Sequence, residues 1–346
     1  MTDTMTPLER TLTALGQKEP DRVPLFLLTT MHGARELNMS IREYFSKGEN
    51  VVKGQVALQK KYTSDCFYAF FYASAEIEAW GGEVIYRDDG PPNAGAPIIR
   101  SLQQIVSIEV PEVSSCNNLE KITSCLRGLA RESACRIPVI GVVMSPFSVP
   151  VMQMGFEAYL DLIYNEPENF WILMRKNQQF CTEWANVQIE AGANAICYFD
   201  PVSSPTCIPP ELYRKTGYIV AKETIAGIKG PTATHLASGR TLAIIDDLAT
   251  TGTVIVGASA LEDIGRVKQA CNKRLSVLGN LNGIAMRQWT PAEAERVVRE
   301  TVQKAGPGGG FILSDNHGEI PWQVPDSVIT AISDAVKKYG TYPLDG

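Results

Sequence analysis

The chain has 346 residues and a formal net charge of −6, and hydrophobic residues make up 45% of it. This length is sufficient for one large α/β domain or two smaller ones. No apolar run approaches the ~18 residues that cross a membrane, and no block of lysine and arginine suggests binding to nucleic acid or to a membrane surface. The polar N-terminal segment lacks the pattern of a signal peptide, so we expect a cytoplasmic protein.

The eight cysteines include no C-x-x-C pair, so the sequence contains neither a zinc knuckle nor a thioredoxin-type motif. Eight cysteines in a chain of this length are not typical of a disulfide scaffold. We therefore expect reduced thiols that serve mainly as small core residues.

Apolar runs alternate with helical stretches along the chain. A helix is expected first, with Thr6 as its N-cap and Pro7 at its first position. Residues 82–100, in which two short β runs flank a turn-rich stretch, predict a hairpin-like excursion after the second strand. The eight runs that predict strands are residues 23–30, 65–73, 137–146, 195–202, 231–238, 253–259, 274–282 and 310–316.

These eight strands alternate with helices, which predicts an α/β fold of the (β/α)₈ TIM-barrel type. The runs are apolar nearly throughout, as expected for strands that are buried on both faces. A doubly wound sheet is the main alternative, but it usually carries a glycine-rich dinucleotide loop after strand one, and residues 29–36 (TTMHGARE) are not such a loop. We predict one barrel domain over residues 1–346, with an N-terminal helical extension.

The chain has only three histidines, and each of them, His32, His235 and His317, lies near the end of a predicted strand or just after it. The residues that follow the strands of a parallel barrel meet at one rim, where barrel enzymes carry out their chemistry. A single histidine at a strand end is often a structural residue. Three at one rim favour a polar catalytic site, because imidazole serves both as a metal ligand and as an acid or base.

Further polar side chains follow the same strands. They are Thr29, Thr30, Arg35, Tyr72, Ser74, Glu76, Glu78, Ser145, Tyr198, Asp200, Ser203, Ser204, Ser238, Asn280, Asn282, Asp315, Asn316 and Glu319.

Histidines and carboxylates that converge in this way suit a divalent metal, and catalytic zinc takes three protein ligands and leaves one position open. The structural alternatives are that Asp200 caps a loop, that Asn280 is a turn residue, and that Glu76 and Glu78 belong to a solvated face.

Five segments, in the same order along nearly the whole chain, resemble the uroporphyrinogen decarboxylase superfamily. They are 6-TPLERTLTALGQKEPDRVPLFL, 75-AEIEAWGGEVIY, 199-FDPVSSPTCIPPELYRK, 278-LGNLNG and 317-HGEIPWQVP. The resemblance implies a (β/α)₈ barrel and suggests a homodimer. Two branches of this superfamily compete.

Uroporphyrinogen decarboxylase itself uses no cofactor, and it holds an acidic tetrapyrrole with arginines and one aspartate. The arginine-rich loop corresponds to residues 29–38 here, which contain only Arg35, and the aspartate corresponds to Tyr72. The His317-Gly318 pair does match the decarboxylase pattern. A substrate with eight carboxylates needs cations, and the predicted rim has few of them.

The second branch contains corrinoid-linked methyltransferases, such as methylcobamide:coenzyme M methyltransferase and the methyl-transferring components of demethylation systems. Those with thiol acceptors bind zinc through a His-x-Cys after one strand and a cysteine after strand eight. Here His235 matches, Ala237 stands in place of the first cysteine and His317 in place of the second, so both cysteines are absent. A site of histidines and carboxylates is harder and more Lewis-acidic than a thiolate site.

We therefore predict a methyltransferase that moves a methyl group between a small methylated substrate and a corrinoid on a partner protein. An aryl methyl ether is the first expected substrate, and a small methylated amine or thiol is the second. The predicted zinc ligands are His235, His317 and an acid from among Glu76, Glu78, Glu319 and Asp200. Predicted catalytic residues are His317, Asp200 and Tyr72, and predicted substrate-binding residues are His32, Arg35, Tyr198 and Asn280. The alternatives are a uroporphyrinogen decarboxylase and a non-catalytic barrel that binds a small molecule or tetrapyrrole.

Overall fold

The computed structural model describes residues 3–344, and its strands follow the predicted order. The strands are β1 (Leu25–Phe26), β2 (Phe67–Tyr68), β3 (Val84–Ile85), β4 (Asn93–Ala94), β5 (Val139–Met144), β6 (Ala195–Phe199), β7 (Thr232–His235), β8 (Ile255–Gly257), β9 (Ser276–Leu281) and β10 (Phe311–Asp315).

Eight of these strands form one parallel sheet in the order β1-β10-β9-β8-β7-β6-β5-β2. The backbone N–H of Asp65 donates to the Leu25 carbonyl at 2.7 Å, which links the starts of the two outer strands and brings the curled sheet round on itself. The predicted TIM-barrel-like α/β fold is therefore confirmed. Strands β3 and β4 form the antiparallel excursion that the turn-rich residues predicted.

Helices alternate with the strands and cover the outside of the sheet. They are α1 (Pro7–Leu15), α2 (His32–Glu36), α3 (Ile41–Tyr44), α4 (Gly48–Tyr62), α5 (Ala75–Ala79), α6 (Leu102–Ser107), α7 (Asn117–Ser133), α8 (Pro150–Met154), α9 (Phe156–Asn165), α10 (Pro167–Glu190), α11 (Pro210–Lys215), α12 (Gly217–Gly227), α13 (Ile245–Leu248), α14 (Ile264–Cys271), α15 (Pro291–Ala305) and α16 (Asp326–Tyr339). No helix in the described part of the chain is long and apolar enough to cross a membrane.

The N-terminal helix begins as the sequence predicts. Thr6 caps α1 in a reciprocal capping box with Glu9, and Pro7 occupies the first turn. Two helix N–H groups that would otherwise lack partners are satisfied in this way.

A buried network of ion pairs joins α1 to the N-terminal ends of β1 and β2. Arg10 and Arg22 both contact Asp65, at 2.6 Å and 2.7 Å, and Arg10 also pairs with Asp21 at 2.7 Å. Asp65 further accepts a hydrogen bond from the Leu25 N–H at 2.8 Å. These two arginines are the buried arginines of the described chain, and they lie at the end of the barrel opposite the strand ends that carry the histidines.

The inside of the barrel is filled by alternate residues of the strands. Cys197 and Phe199 of β6 pack there with Ile140 and Val142 of β5 and with Ile312 of β10. Because side chains alternate across a strand, the residue between Cys197 and Phe199 faces the helices instead.

Candidate active site

His235 ends β7 and lies inside the barrel. Its ring centroid is 4.7 Å from that of Phe199, which in turn lies 6.1 Å from that of Phe70. A Cβ built at Gly257 would come within 2.8 Å of the His235 ring, so the glycine leaves the space that the ring occupies. The result is an imidazole held between the Phe199 ring and the backbone of β8.

The hydrogen bonds of His235 fix the position of its proton. Its Nδ1 accepts a hydrogen bond from the Ala237 N–H at 3.0 Å, so the neutral ring carries its proton on Nε2. Burial, and secondarily the nearby His317, lowers the pKa of His235 to about 4, so the ring is neutral at physiological pH. His235 therefore presents an Nε2–H donor.

His317 lies in the loop after β10, half-buried, between two polar side chains. Its Nδ1 is hydrogen-bonded to the hydroxyl of Ser238, and its Nε2 lies 3.1 Å from Oδ1 of Asn282. The Asn282 oxygen also accepts the Ala285 N–H at 3.0 Å, which fixes the orientation of the amide. Nε2 must then be the donor, and Nδ1 accepts from Ser238. Burial lowers the pKa of His317, so this ring is also neutral at physiological pH.

Two buried carboxyl groups flank His317 in the chain. Burial raises the pKa of Asp315 to about 7, although the N–H groups of Leu28 and His317 donate to its carboxylate. Burial also raises the pKa of Glu319 well above its usual value, and one of its oxygens accepts the Met31 N–H. Both groups hold a proton to higher pH than exposed acids do.

The remaining predicted substrate-binding side chains lie in other environments. His32 is buried against Trp322, with ring centroids 5.9 Å apart, and burial lowers its pKa to about 3. Arg35 lies over the same indole at 4.4 Å and pairs with Asp326 at 3.2 Å. The structure therefore brings His32 and Arg35 together with the loop that precedes α16.

Tyr198 and Asn280 also have structural neighbours. Tyr198 is buried with Ala221 and Ile225 of α12, on the face of β6 opposite Phe199, because adjacent residues of a strand point to opposite sides. The Asn280 amide donates to the carbonyls of Ser259 and Glu262, at 2.8 Å and 3.1 Å, and so holds the loop after β8.

Tyr72 and Glu78 contact one another rather than the histidines. The Tyr72 hydroxyl donates to Glu78 at 3.0 Å and accepts from the Tyr86 hydroxyl at 3.1 Å. Tyr72 packs against Phe45 in the cluster between α3 and the loop after β2.

Glu76 and Asp200 are buried and are hydrogen-bonded to groups other than the histidines. Glu76 lies in the first turn of α5, where its carboxylate accepts the Met144 N–H at 2.9 Å, and burial raises its pKa to about 8. Asp200 accepts hydroxyl hydrogen bonds from Ser145, Ser148 and Ser203 at 2.5 Å, 2.8 Å and 2.6 Å. Burial raises the pKa of Asp200 and these hydroxyls oppose the rise.

The donor set does not fit the predicted zinc ion. In each of His235 and His317 the Nδ1 lone pair accepts a hydrogen bond and Nε2 carries the proton, so neither ring presents an unoccupied lone pair. Of the predicted acids, Glu78 and Asp200 are bonded to hydroxyl groups elsewhere. Glu76 and Glu319 each accept one backbone N–H and keep one oxygen without a hydrogen bond. Among residues 3–344, no group of three or more histidine, cysteine, aspartate and glutamate side chains is arranged to hold a metal.

Comparison with known proteins places the chain in a family. The model of the family "Uroporphyrinogen decarboxylase (URO-D)" matches residues 6–339. The chain belongs to this family. It is similar to the uroporphyrinogen decarboxylase of Thioalkalivibrio sulfidiphilus, with 26% identity over 76% of each chain, and to that of Idiomarina loihiensis, with 22% identity over 96% of each.

Solved structures share the fold of this family member. A methyltransferase from Methanosarcina mazei has a TM-score of 0.84 at 17% identity, with 97% of this chain and 99% of that one covered. A B12-independent methionine synthase from Shewanella sp. W3-18-1 has a TM-score of 0.55 at 13% identity, with 86% and 89% covered.

The predicted residues at the rim thus divide into two groups. His235 and His317 are linked through Ser238, which follows His235 by three residues and is hydrogen-bonded to His317, whereas Tyr72, Glu76, Asp200 and Tyr198 belong to other clusters. Ser238 and Asn282 contact His317 in this site. From their positions after β7 and β9, the sequence predicts only that they lie at the rim. Their pairing with His317 joins positions that are 79 and 35 residues apart, and no spacing along the chain signals it.

Proposed function

We propose that this protein transfers a methyl group between a small methylated substrate and a corrinoid carried on a partner protein. The observation that carries the proposal is the donor geometry of His235, whose ring carries its proton on Nε2 and packs against Phe199 at the end of β7. The corrinoid supplies the cobalt that accepts or donates the methyl group. The chain itself supplies the groups that bind and polarise the substrate.

The heteroatom that loses a methyl group gains negative charge as the bond breaks. A fixed N–H donor in a low-dielectric site stabilises such charge and, in known enzymes, one donor changes kcat by about 10²- to 10³-fold. The ring of Phe199, which packs against both His235 and Phe70, favours a substrate with an aromatic ring, since aromatic rings stabilise one another in pairs. An aryl methyl ether meets both requirements.

The charges near the histidines favour this reaction over decarboxylation of uroporphyrinogen. The single arginine of the loop after β1, Arg35, is paired with Asp326 and stacked on Trp322. The buried groups beside His317 are the acids Asp315 and Glu319. An octacarboxylate substrate requires cations at these positions.

Decarboxylation is the second candidate. Uroporphyrinogen decarboxylases match up to 96% of the chain, and His317-Gly318 fits their pattern. The two candidates make different products. Release of CO₂ from uroporphyrinogen would establish the second and refute our proposal.

The direct test uses methylcobalamin, as the free form of the corrinoid, with a series of phenols and thiols as acceptors. We expect methylated product and a matching change in the corrinoid absorption spectrum. His235→Gln should reduce the rate about 10²-fold, because it removes the ring donor. The matched control is Gln178→Ala on α10, which leaves the barrel interior unchanged. Equal rates for His235→Gln and the wild-type protein would contradict the proposal.

The predicted zinc is tested on the same preparations. Metal analysis after dialysis against a chelator, together with the rate of methyl transfer, distinguishes a bound metal from none. Because both histidines have occupied lone pairs, we expect no stoichiometric zinc and no loss of rate on dialysis.

A further inference from the structure

Ser238, His317 and Asn282 form a continuous chain of hydrogen bonds at the mouth of the barrel. The Asn282 oxygen cannot donate, and the Ala285 N–H holds it in place, so His317 must donate to it from Nε2. The Nδ1 lone pair of His317 is therefore directed at the Ser238 hydroxyl. A serine hydroxyl bonded to a histidine of fixed tautomer is the arrangement that activates hydroxyl groups in enzymes.

The environment of each residue distinguishes this arrangement from simple packing. Ser238 is exposed after β7, so its hydroxyl is accessible from the mouth. His317 is only half-buried, whereas the polar groups that hold Asp200 are completely enclosed. His235 ends β7 three residues before Ser238, so the chain of hydrogen bonds ends near the proposed methyl-transfer site.

We propose that Ser238, His317 and Asn282 are a proton relay that removes the proton from a hydroxyl or thiol acceptor as it becomes methylated. Ser238 and His317 would be catalytic residues, and Asn282 a positioning residue. This inference rests on the proposed function for its substrate class, and it adds a proton pathway that needs no metal.

The acceptor X–H gives its proton to the Ser238 oxygen, while the original hydroxyl proton of Ser238 passes to Nδ1 of His317. One X–H and one O–H bond break, one O–H and one N–H bond form, and the products are X⁻ and an imidazolium. The Asn282 oxygen stabilises the imidazolium through its hydrogen bond with Nε2. The reverse sequence returns the proton to the leaving heteroatom during demethylation.

The first test measures the tautomer without any substrate. The chain has three histidines, so the ¹⁵N signals of His317 can be assigned by comparison with His317→Gln. We expect a protonated Nε2 and a bare Nδ1 whose chemical shift changes in Ser238→Ala. Asn282→Asp should retain this tautomer and raise the pKa of His317. A wild-type His317 that carries its proton on Nδ1 would overturn the relay.

The second test varies the acidity of the acceptor. Para-substituted phenols that are already ionised at the assay pH need no proton removal, whereas unsubstituted phenol does. We expect Ser238→Ala to slow methylation of phenol by about 10²-fold and to leave the ionised phenols nearly unaffected. Ser114→Ala, on an exposed turn before α7, is the matched control.

The two proposals fail in different ways. Equal slowing of ionised and un-ionised phenols by Ser238→Ala would overturn the relay and leave methyl transfer standing. If the wild-type protein methylates none of the acceptors, the proposed function fails, and the ¹⁵N measurement alone decides whether the relay exists.

Discussion

The imidazole of His235 packs against Gly257 so closely that a Cβ at the glycine would lie 2.8 Å from a ring carbon. The neighbouring strand thus fixes the direction of the Nε2–H bond, in addition to the Ala237 N–H that holds Nδ1.

The first prediction is that Gly257→Ala moves the ring of His235 and lowers the rate of methyl transfer by about 10- to 100-fold, because small displacements of a catalytic group are costly. The measurement is the rate with methylcobalamin, alongside circular dichroism to establish folding. Gly90→Ala is the control, since a Cβ at Gly90 meets no atom within 4 Å. An unchanged rate in the folded Gly257→Ala protein would show that the ring direction is unimportant.

The two faces of β6 provide the second prediction. Tyr198 packs against α12, whereas Phe199 packs against His235. We expect Tyr198→Phe to leave the rate and KM unchanged, and Phe199→Leu to raise KM for aromatic substrates, because only Phe199 contacts His235. A loss of activity in Tyr198→Phe alone would reverse this assignment.

The third prediction concerns Glu76 and pH. Burial raises the pKa of Glu76 from 4.5 to about 8, so between these pH values the folded state retains a proton that the unfolded state releases. This contribution to stability is fully present below the unfolded pKa and is lost as the pH rises through the folded one. It falls at up to about 1.4 kcal/mol per pH unit.

Glu76→Gln removes this dependence. The variant should match the wild-type free energy of unfolding at about pH 5 and exceed it at about pH 8, as measured by urea denaturation. Glu168→Gln, on the exposed start of α10, controls for a general loss of charge. A difference between variant and wild type that is constant with pH would refute the assignment.

The fourth prediction is that Asp65→Ala destabilises the protein by about 3–5 kcal/mol, because it leaves Arg10 and Arg22 buried without this partner. Urea denaturation measures the loss, with the exposed Asp334→Ala on α16 as control. A loss below about 1 kcal/mol would mean that the remaining partners, such as Asp21, compensate both arginines.

All eight barrel strands and the hairpin excursion could be predicted from the sequence. The strand segments are apolar on both faces. This pattern predicts β1 and β2 correctly, although each of them has only two residues. The rim positions of His235 and His317 followed from the same topology. Local patterns were sufficient to place these histidines, because all strands of the barrel are parallel and their C-terminal ends meet at one rim.

The sequence was less informative about where side chains point. Glu76 was expected to follow strand two directly, but α5 begins at Ala75, and its first turn directs the carboxylate to Met144. Tyr198 is predicted to bind substrate, but its side chain packs against α12. Consecutive residues of a strand point to opposite faces, so an error of one residue changes the face. The tautomers of His235 and His317 depend on partners that only the folded chain brings together.

The separation of the Arg10–Arg22–Asp65 network from the histidines has a consequence for how this protein can change. Residues that hold the barrel together lie at one end, and those proposed to act on substrate lie at the other, with no residue in common. Substitutions at the two ends should therefore combine additively. Loops at the histidine end could be exchanged with those of a relative to alter the choice of substrate. The ion pairs of Arg10 and Arg22 with Asp65 would continue to stabilise the fold.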